Sequence, residues 1–417
     1  MLNNTTQNRI VNKINKNLKE PKRLFESYIN TAQFIINNPI KNIKVKEIGK
    51  SYLGQSIYAF IFKLSRADRE KIPELLLKEI KQNKITISDK FEWNKTDIKE
   101  KPEENYRRIL IHGGIHAREG LSSAIILKLI LNIYKGLYEE RLKRLKIIEY
   151  FIYNKVIYKN SNYLRKKSLR HYLKGSIHTL TLNLIPIVNP DGVMLTTNRR
   201  LMWKKFKQNI RLFIFLHKYN NINNYVNNLK NKQKKRIFIP KKAYKRLFFI
   251  NNIEFNYFKA NLLLTDLNVN FPEKWGMGKS NVFRESPSSF VGRFPLSQSE
   301  NISLVNETTS FDPDVTFSFH CLGNVIYYGY DGRFTRHPLT NIVSNILKFP
   351  AMKSTGSYGG YKEWFISAFN KPSFTIEFGC DVNNKDSFKR NYLRIFKELD
   401  ACYYKVVLLL NRLFWFR

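Results

Sequence analysis

The sequence predicts an α/β protein: a single three-layer α/β/α domain around a mixed, largely parallel twisted sheet. Two observations carry this. Apolar runs of strand length, Arg108 to His112, Leu180 to Val188, Val315 to His320 and Ser373 to Phe378, alternate with stretches of helical periodicity, Leu121 to Tyr138, Tyr361 to Phe369 and Ser387 to Leu413. With 417 residues, 43% of them apolar, and no internal repeat, the chain is long enough to bury such a core. In sheets of this kind the functional site lies at the carboxyl ends of the strands.

Taken in order, residues 1–20 are polar and basic and are expected as a loose leader before a domain spanning 21–417. Residues 21–38 carry Leu, Phe, Tyr and Ile at helical spacing. Ile43 to Ile48 and Ser56 to Phe62 flank a turn at Gly49–Gly54, which reads as a hairpin. Three charged stretches, near 64–105, 139–176 and 199–255, read as basic surface insertions. The last is the most biased, with few large apolar residues between Asn220 and Lys235. Asn189-Pro190-Asp191-Gly192 closes the second buried strand with a strong turn signal.

The 72 Lys and Arg against 33 Asp and Glu leave a net charge of +39. That balance favours polyanions in general. It is spread along the chain rather than gathered on one helical face, as A+T-rich coding produces, and no RNA-recognition signature accompanies it. A specific nucleic-acid partner is therefore not expected. Cys321, Cys380 and Cys402 are too few and too odd in number for a disulfide framework. The polar N-terminus lacks an apolar signal core, and the C-terminal apolar runs, broken at Asn411-Arg412, are too short to span a bilayer. These points favour a cytoplasmic protein without a transmembrane segment.

Chemistry concentrates at a few positions. His116-Ala117-Arg118-Glu119 places an imidazole and a carboxylate three residues apart just beyond a strand, a spacing that lets both turn onto one cation. A catalytic zinc needs a third protein ligand and an open position, and His320, ending the run Val315 to Phe319, can deliver it at the same sheet rim. Glu377, a lone carboxylate in the apolar strand Ser373 to Phe378, is costly to bury without a role and is the candidate general base. His112 reads as structural or supporting, and His171, His178, His217 and His337 as peripheral.

These residues, with Asn189 to Gly192 and Asp266-Leu267-Asn268 between them, follow the order found in zinc carboxypeptidases of the carboxypeptidase A type, which the chain resembles over roughly residues 22–415. Gly49 to Gly54, Phe258 to Asn261 and Gly359 to Ile366 look similar to the bacterial branch of γ-D-glutamyl-diamino acid peptidases. The resemblance implies one zinc ion held by His116, Glu119 and His320, with Glu377 deprotonating the attacking water. It further implies Arg118 and Lys259 facing the developing oxyanion, Asn268 on a substrate carboxylate, and Lys362 lining the pocket for the departing residue. Lys204, in Met202-Trp203-Lys204, rivals Lys259 for its role.

Val269 stands where digestive carboxypeptidases carry an arginine that grips a free C-terminus, and Tyr358 stands too close to Gly359 to match their mobile tyrosine. Leu263 stands near where the bacterial branch often has an arginine. The expected substrate is thus a peptidoglycan stem peptide. The alternatives are a general metallocarboxypeptidase and a non-catalytic member that binds wall peptide or polyanion.

Overall fold

The computed structural model describes residues 4–65, 108–157, 178–198, 200–202 with 204, 258–334, 337–354, 356, 358–379 and 395–415. The expected insertions near 64–105 and 199–255 fall largely outside these residues, as do His171, His217, Trp203 and Cys380, whereas 139–157 of the one near 139–176 is not an insertion but the continuation of the helix that begins at Gly120.

The N-terminal segment departs from its expectation. Asn4–Asn17 forms a helix, α1, because Val11 and Ile14, with Leu18 just beyond it, recur at helical spacing and bury in the main core. A short 3-10 turn leads into α2, Leu24–Asn37. The hairpin forms as expected from β1, Ile43–Lys50, and β2, Ser56–Ser65. Then come β3, Arg108–His112; α3, Gly120–Ile157; β4, His178–Ile185; and α4, Pro190–Thr197. The second half holds α5, Ser299–Phe311; β5, Val315–His320; β6, Val325–Tyr328; α6, Pro338–Leu347; β7, Ala351–Lys353; α7, Tyr361–Phe369; β8, Ser373–Glu377; and α8, Leu399–Trp415.

The eight strands form one sheet in the order β1-β2-β4-β3-β5-β8-β6-β7. Its centre, β4-β3-β5-β8, is parallel, and antiparallel pairs appear toward the two sides. Side chains alternate between two cores, which is what makes three layers. Ile109, Ile111 and Phe317 enter the larger core with α1, α2, α3, α6 and α8, whereas Leu110 enters the smaller one with α7 residues Tyr361, Trp364 and Phe365. Within α3, Gly120–Tyr138 is long and apolar enough to cross a bilayer, but 89% of that window is buried inside the fold.

The chain leaves β3 toward β4 on one side and later adds β5 on the other, so the order reverses between β3 and β5. Such a switch point opens a crevice at the carboxyl ends of the strands. The loop after β3 enters it through Gly114 at φ +59°, where a side chain would collide with Ser123 Oγ at 2.4 Å.

Candidate metal and catalytic centre

Three expected residues converge in that crevice. His116 Nδ1 lies 2.8 Å from Glu119 Oε1, His320 Nδ1 lies 2.9 Å from Glu119 Oε2, and the two Nδ1 atoms are 3.3 Å apart. All three side chains are buried, and one ligand atom from each lies within 4.8 Å of the others. The donor set fits zinc by its chemistry, two imidazoles and one carboxylate brought to a single buried point.

The elements explain the convergence. His320 is the last residue of β5, and the parallel register pairs it with Glu377, the last residue of β8. His116 is held by its far nitrogen, with Asp266 Oδ1 3.2 Å from Nε2, which leaves Nδ1 facing the other ligands. Asp266 is fixed in turn by the Asn268 N–H at 3.2 Å and the Ser289 N–H at 3.0 Å. The backbone beside His116 is pinned to the segment carrying Lys259, for Ala117 N donates to Lys259 O and Arg118 N to Phe258 O. Asn189 ties both segments together by donating to Ile115 O and Ala260 O, while its Oδ1 caps α4 at Gly192 N. The tetrapeptide expected only to turn the chain therefore also braces the site.

The electrostatics follow from this packing. Burial pushes the His116 imidazole down, but the Glu119 and Asp266 carboxylates more than offset it and leave its pKa at about 9. Burial pushes Glu119 up, and His116 and His320 overcome that and hold it well below the carboxylate range. Glu377 behaves oppositely: burial and the nearby Glu119 charge raise it to about 8, against the opposing pull of Lys259, His116 and Arg118. Its Oε2 has no hydrogen-bond partner among the described residues. A buried carboxylate oxygen left without a donor is uncommon and marks a place where another group belongs.

The remaining expected residues divide. Lys259 is half-buried, and its charge acts on His116, His320, Asp266 and Glu377, whereas Lys204 is exposed and acts on none of them. Arg118 acts on Glu377 and lines a pocket with Leu121, Leu322, Ile395 and Phe396. Asn268 accepts the Tyr361 N–H at 3.2 Å through Oδ1, which leaves its amide nitrogen as the end able to meet a carboxylate. Gly359 lets these segments touch: at φ +76° a side chain there would stand 2.8 Å from Val269 O.

Lys362, expected to line the pocket for the departing residue, is held inside the fold. It is 3% exposed, and its Nζ is bound to Glu363 Oε1 at 2.6 Å and Gly329 O at 2.9 Å. Burial of an ammonium demands such pairing. His112 is buried, bound to Ser318 Oγ at 2.7 Å and set edge-on to Tyr361; its pKa is pushed well down by burial and by His320, so it is neutral. His337 caps α6 by accepting the Leu339 N–H. Sequence reasoning assigned no role to Asp266; the signal was its place two residues before Asn268 in the ordered motif.

A buried two-histidine, one-carboxylate set at the switch point of an α/β/α sheet defines a class of metal-site proteins. A family model described as zinc carboxypeptidase matches residues 35–153 and 156–396, and the chain belongs to that family. Gamma-D-glutamyl-L-diamino acid endopeptidase 1 of Lysinibacillus sphaericus is 30% identical over 206 residues, 49% of this chain and 43% of that protein. The uncharacterized protein YqgT of Bacillus subtilis (strain 168) is 27% identical over 216 residues, 49% of this chain and 47% of that one. The chain thus spans less than half the length of these curated relatives. A crystal structure of thrombin activatable fibrinolysis inhibitor shares the fold at 14% identity, with a TM-score of 0.52 over 97% of this chain and 79% of that one.

Proposed function

We propose that the chain is a zinc-dependent peptidase that hydrolyses γ-D-glutamyl-diamino acid bonds in peptidoglycan stem peptides. The observation that carries the reading is Glu377, half-buried, its inaccessible Oε2 without a hydrogen-bond partner among the described residues, in register beside His320. His116, Glu119 and His320 would hold the zinc, whose chemistry when bound would be Lewis acidity at this sheet rim. Glu377 takes the proton of the attacking water and passes it to the leaving amine as the C–N bond breaks. Lys259 and Arg118 place positive charge where the carbonyl oxygen gains negative charge. Asn268 offers its amide nitrogen to a substrate carboxylate.

Two features support this substrate over an ordinary protein C-terminus. Val269 cannot grip a terminal carboxylate, and the Lysinibacillus sphaericus relative is named for the γ-D-glutamyl-diamino acid bond. The test is to incubate the protein with Zn²⁺ and either a muropeptide stem or a dipeptide with an apolar C-terminal residue, alongside Glu377→Gln. Cleavage of the stem alone, lowered at least about 100-fold in the variant, is expected; no zinc-dependent cleavage of either sinks the reading.

A further inference from the structure

The three most exposed large apolar side chains among the described residues, Phe283 at 68%, Met277 at 65% and Phe294 at 59%, all lie on the loop between Asn270 and α5. A soluble protein rarely gathers such residues on one loop without a partner. The loop holds its own shape: Trp275 Nε1 donates to Val291 O at 2.8 Å, Val282 and Phe290 form a bridge, and the Phe283 ring packs edge-on to Trp275 with centroids 6.2 Å apart. Lys279, Arg284 and Arg293 are exposed between these apolar residues and make no ion pair among the described residues.

The same loop is bonded to the catalytic centre. Pro287 O accepts the Lys259 and Ala260 N–H groups, and Ser289 N donates to the Asp266 carboxylate that holds His116. Ser289 follows Phe283 by six positions, so chain reach keeps Phe283 within about 20 Å of that contact. A ligand seated on this loop is held at a fixed offset from the bond to be cut.

Resting on the reading above, we infer that this loop is a docking platform for the peptidoglycan strand that carries the scissile stem peptide. Phe283, Met277 and Trp275 offer apolar surface to the C–H faces of sugar rings, and Arg284, Arg293 and Lys279 meet the carboxylates of neighbouring stems. A second copy of this chain is a poor occupant, since facing patches would oppose cation to cation.

The test sediments the zinc-loaded full chain with purified sacculi, and in parallel with phosphatidylglycerol vesicles and heparin beads, at about 0.15 M salt. Phe283→Ser with Met277→Ser is expected to weaken sacculus binding about tenfold, and Arg284→Gln roughly threefold. Cleavage of a short soluble stem peptide is expected to stay within about twofold of the unsubstituted chain, because these side chains are exposed and outside the centre. Sacculus binding indifferent to the Phe283 and Met277 changes, or equal capture by vesicles or heparin, overturns the inference. Sedimentation needs no bond cleavage, so Phe283-dependent binding without hydrolysis sinks the proposed reaction alone, and hydrolysis with indifferent binding sinks the platform alone.

Discussion

Asp266 Oδ1 lies 3.2 Å from His116 Nε2, so the ring that offers Nδ1 to the metal set is oriented by a carboxylate on its other side. Burial raises the Asp266 pKa, but the His116 charge and hydrogen bond, with Lys259 and the Ser289 N–H, hold it well below the carboxylate range. Asp266→Asn keeps the shape and removes the charge. Loss of such a partner weakens metal affinity about 10- to 100-fold. Competition against a chelator of known affinity measures this, with activity recovering when zinc is raised; unchanged affinity would show that Asp266 does not tune the ligand.

Glu377→Gln separates binding from chemistry. Glutamine fits the same site, where Oε2 has no donor to lose among the described residues, but it cannot accept the proton of a water. Hydrolysis at saturating zinc is expected to fall about 10²- to 10⁴-fold, with zinc stoichiometry measured by atomic absorption unchanged. Retained hydrolysis would remove Glu377 from the mechanism.

The metal set was legible because each member ends or follows an apolar run: His116 and Glu119 after Arg108 to His112, His320 at the end of Val315 to His320. α5 was not, and its burial explains why. The face it turns inward is mostly polar, with Glu300, Asn301, Glu307 and Thr308 buried beside Leu304, so no clear apolar period marks it. Those groups are satisfied from distant segments: Glu307 by Lys46 and Asn183, Asn301 by Leu267 O, and Thr308 with Tyr361. The platform loop escaped for a similar reason. It is braced by Asn270, whose amide binds Val291 O and Phe294 O, a tertiary pairing with no local signature. The ion pair of Lys362 with Glu363 had no signature in the sequence, because two charges side by side read as a solvated face until their burial is seen.

Asp191 gives a pH prediction away from the metal. It is buried, accepting from Ser51 Oγ at 2.7 Å and Leu53 N at 2.8 Å. Burial, opposed by the Leu53 N–H and assisted by Glu300, raises its pKa from 3.8 to about 7. The folded state therefore keeps a proton that the unfolded state releases, and stability falls as pH rises from about 4 to about 7. The ceiling is about 4 kcal/mol, and the high effective dielectric of real interiors reduces it to about 1–2 kcal/mol. Asp191→Asn keeps one acceptor for Leu53 and can donate to Ser51. Urea unfolding at pH 4.5 and 7.5 is expected to show the variant gaining on the unsubstituted chain only at the higher pH; a gap independent of pH refutes the buried proton.

Lys362 and Glu363 test whether an expected pocket residue is a buried brace instead. Their contact is 2.6 Å, both are nearly inaccessible, and Ser354 Oγ adds a bond to Glu363 at 3.0 Å. Removing one charge strands the other where water cannot reach it, at a cost of about 3–5 kcal/mol. Lys362→Met is therefore expected to lower stability by that amount, seen as a lower urea midpoint. Lys362→Met with Glu363→Leu recovers most of it, because no unpaired charge remains. Were Lys362 instead a direct substrate contact, the single variant would raise KM for the stem peptide and leave the urea midpoint within about 1 kcal/mol. The two outcomes are opposite in both measurements, so one pair of variants decides between them.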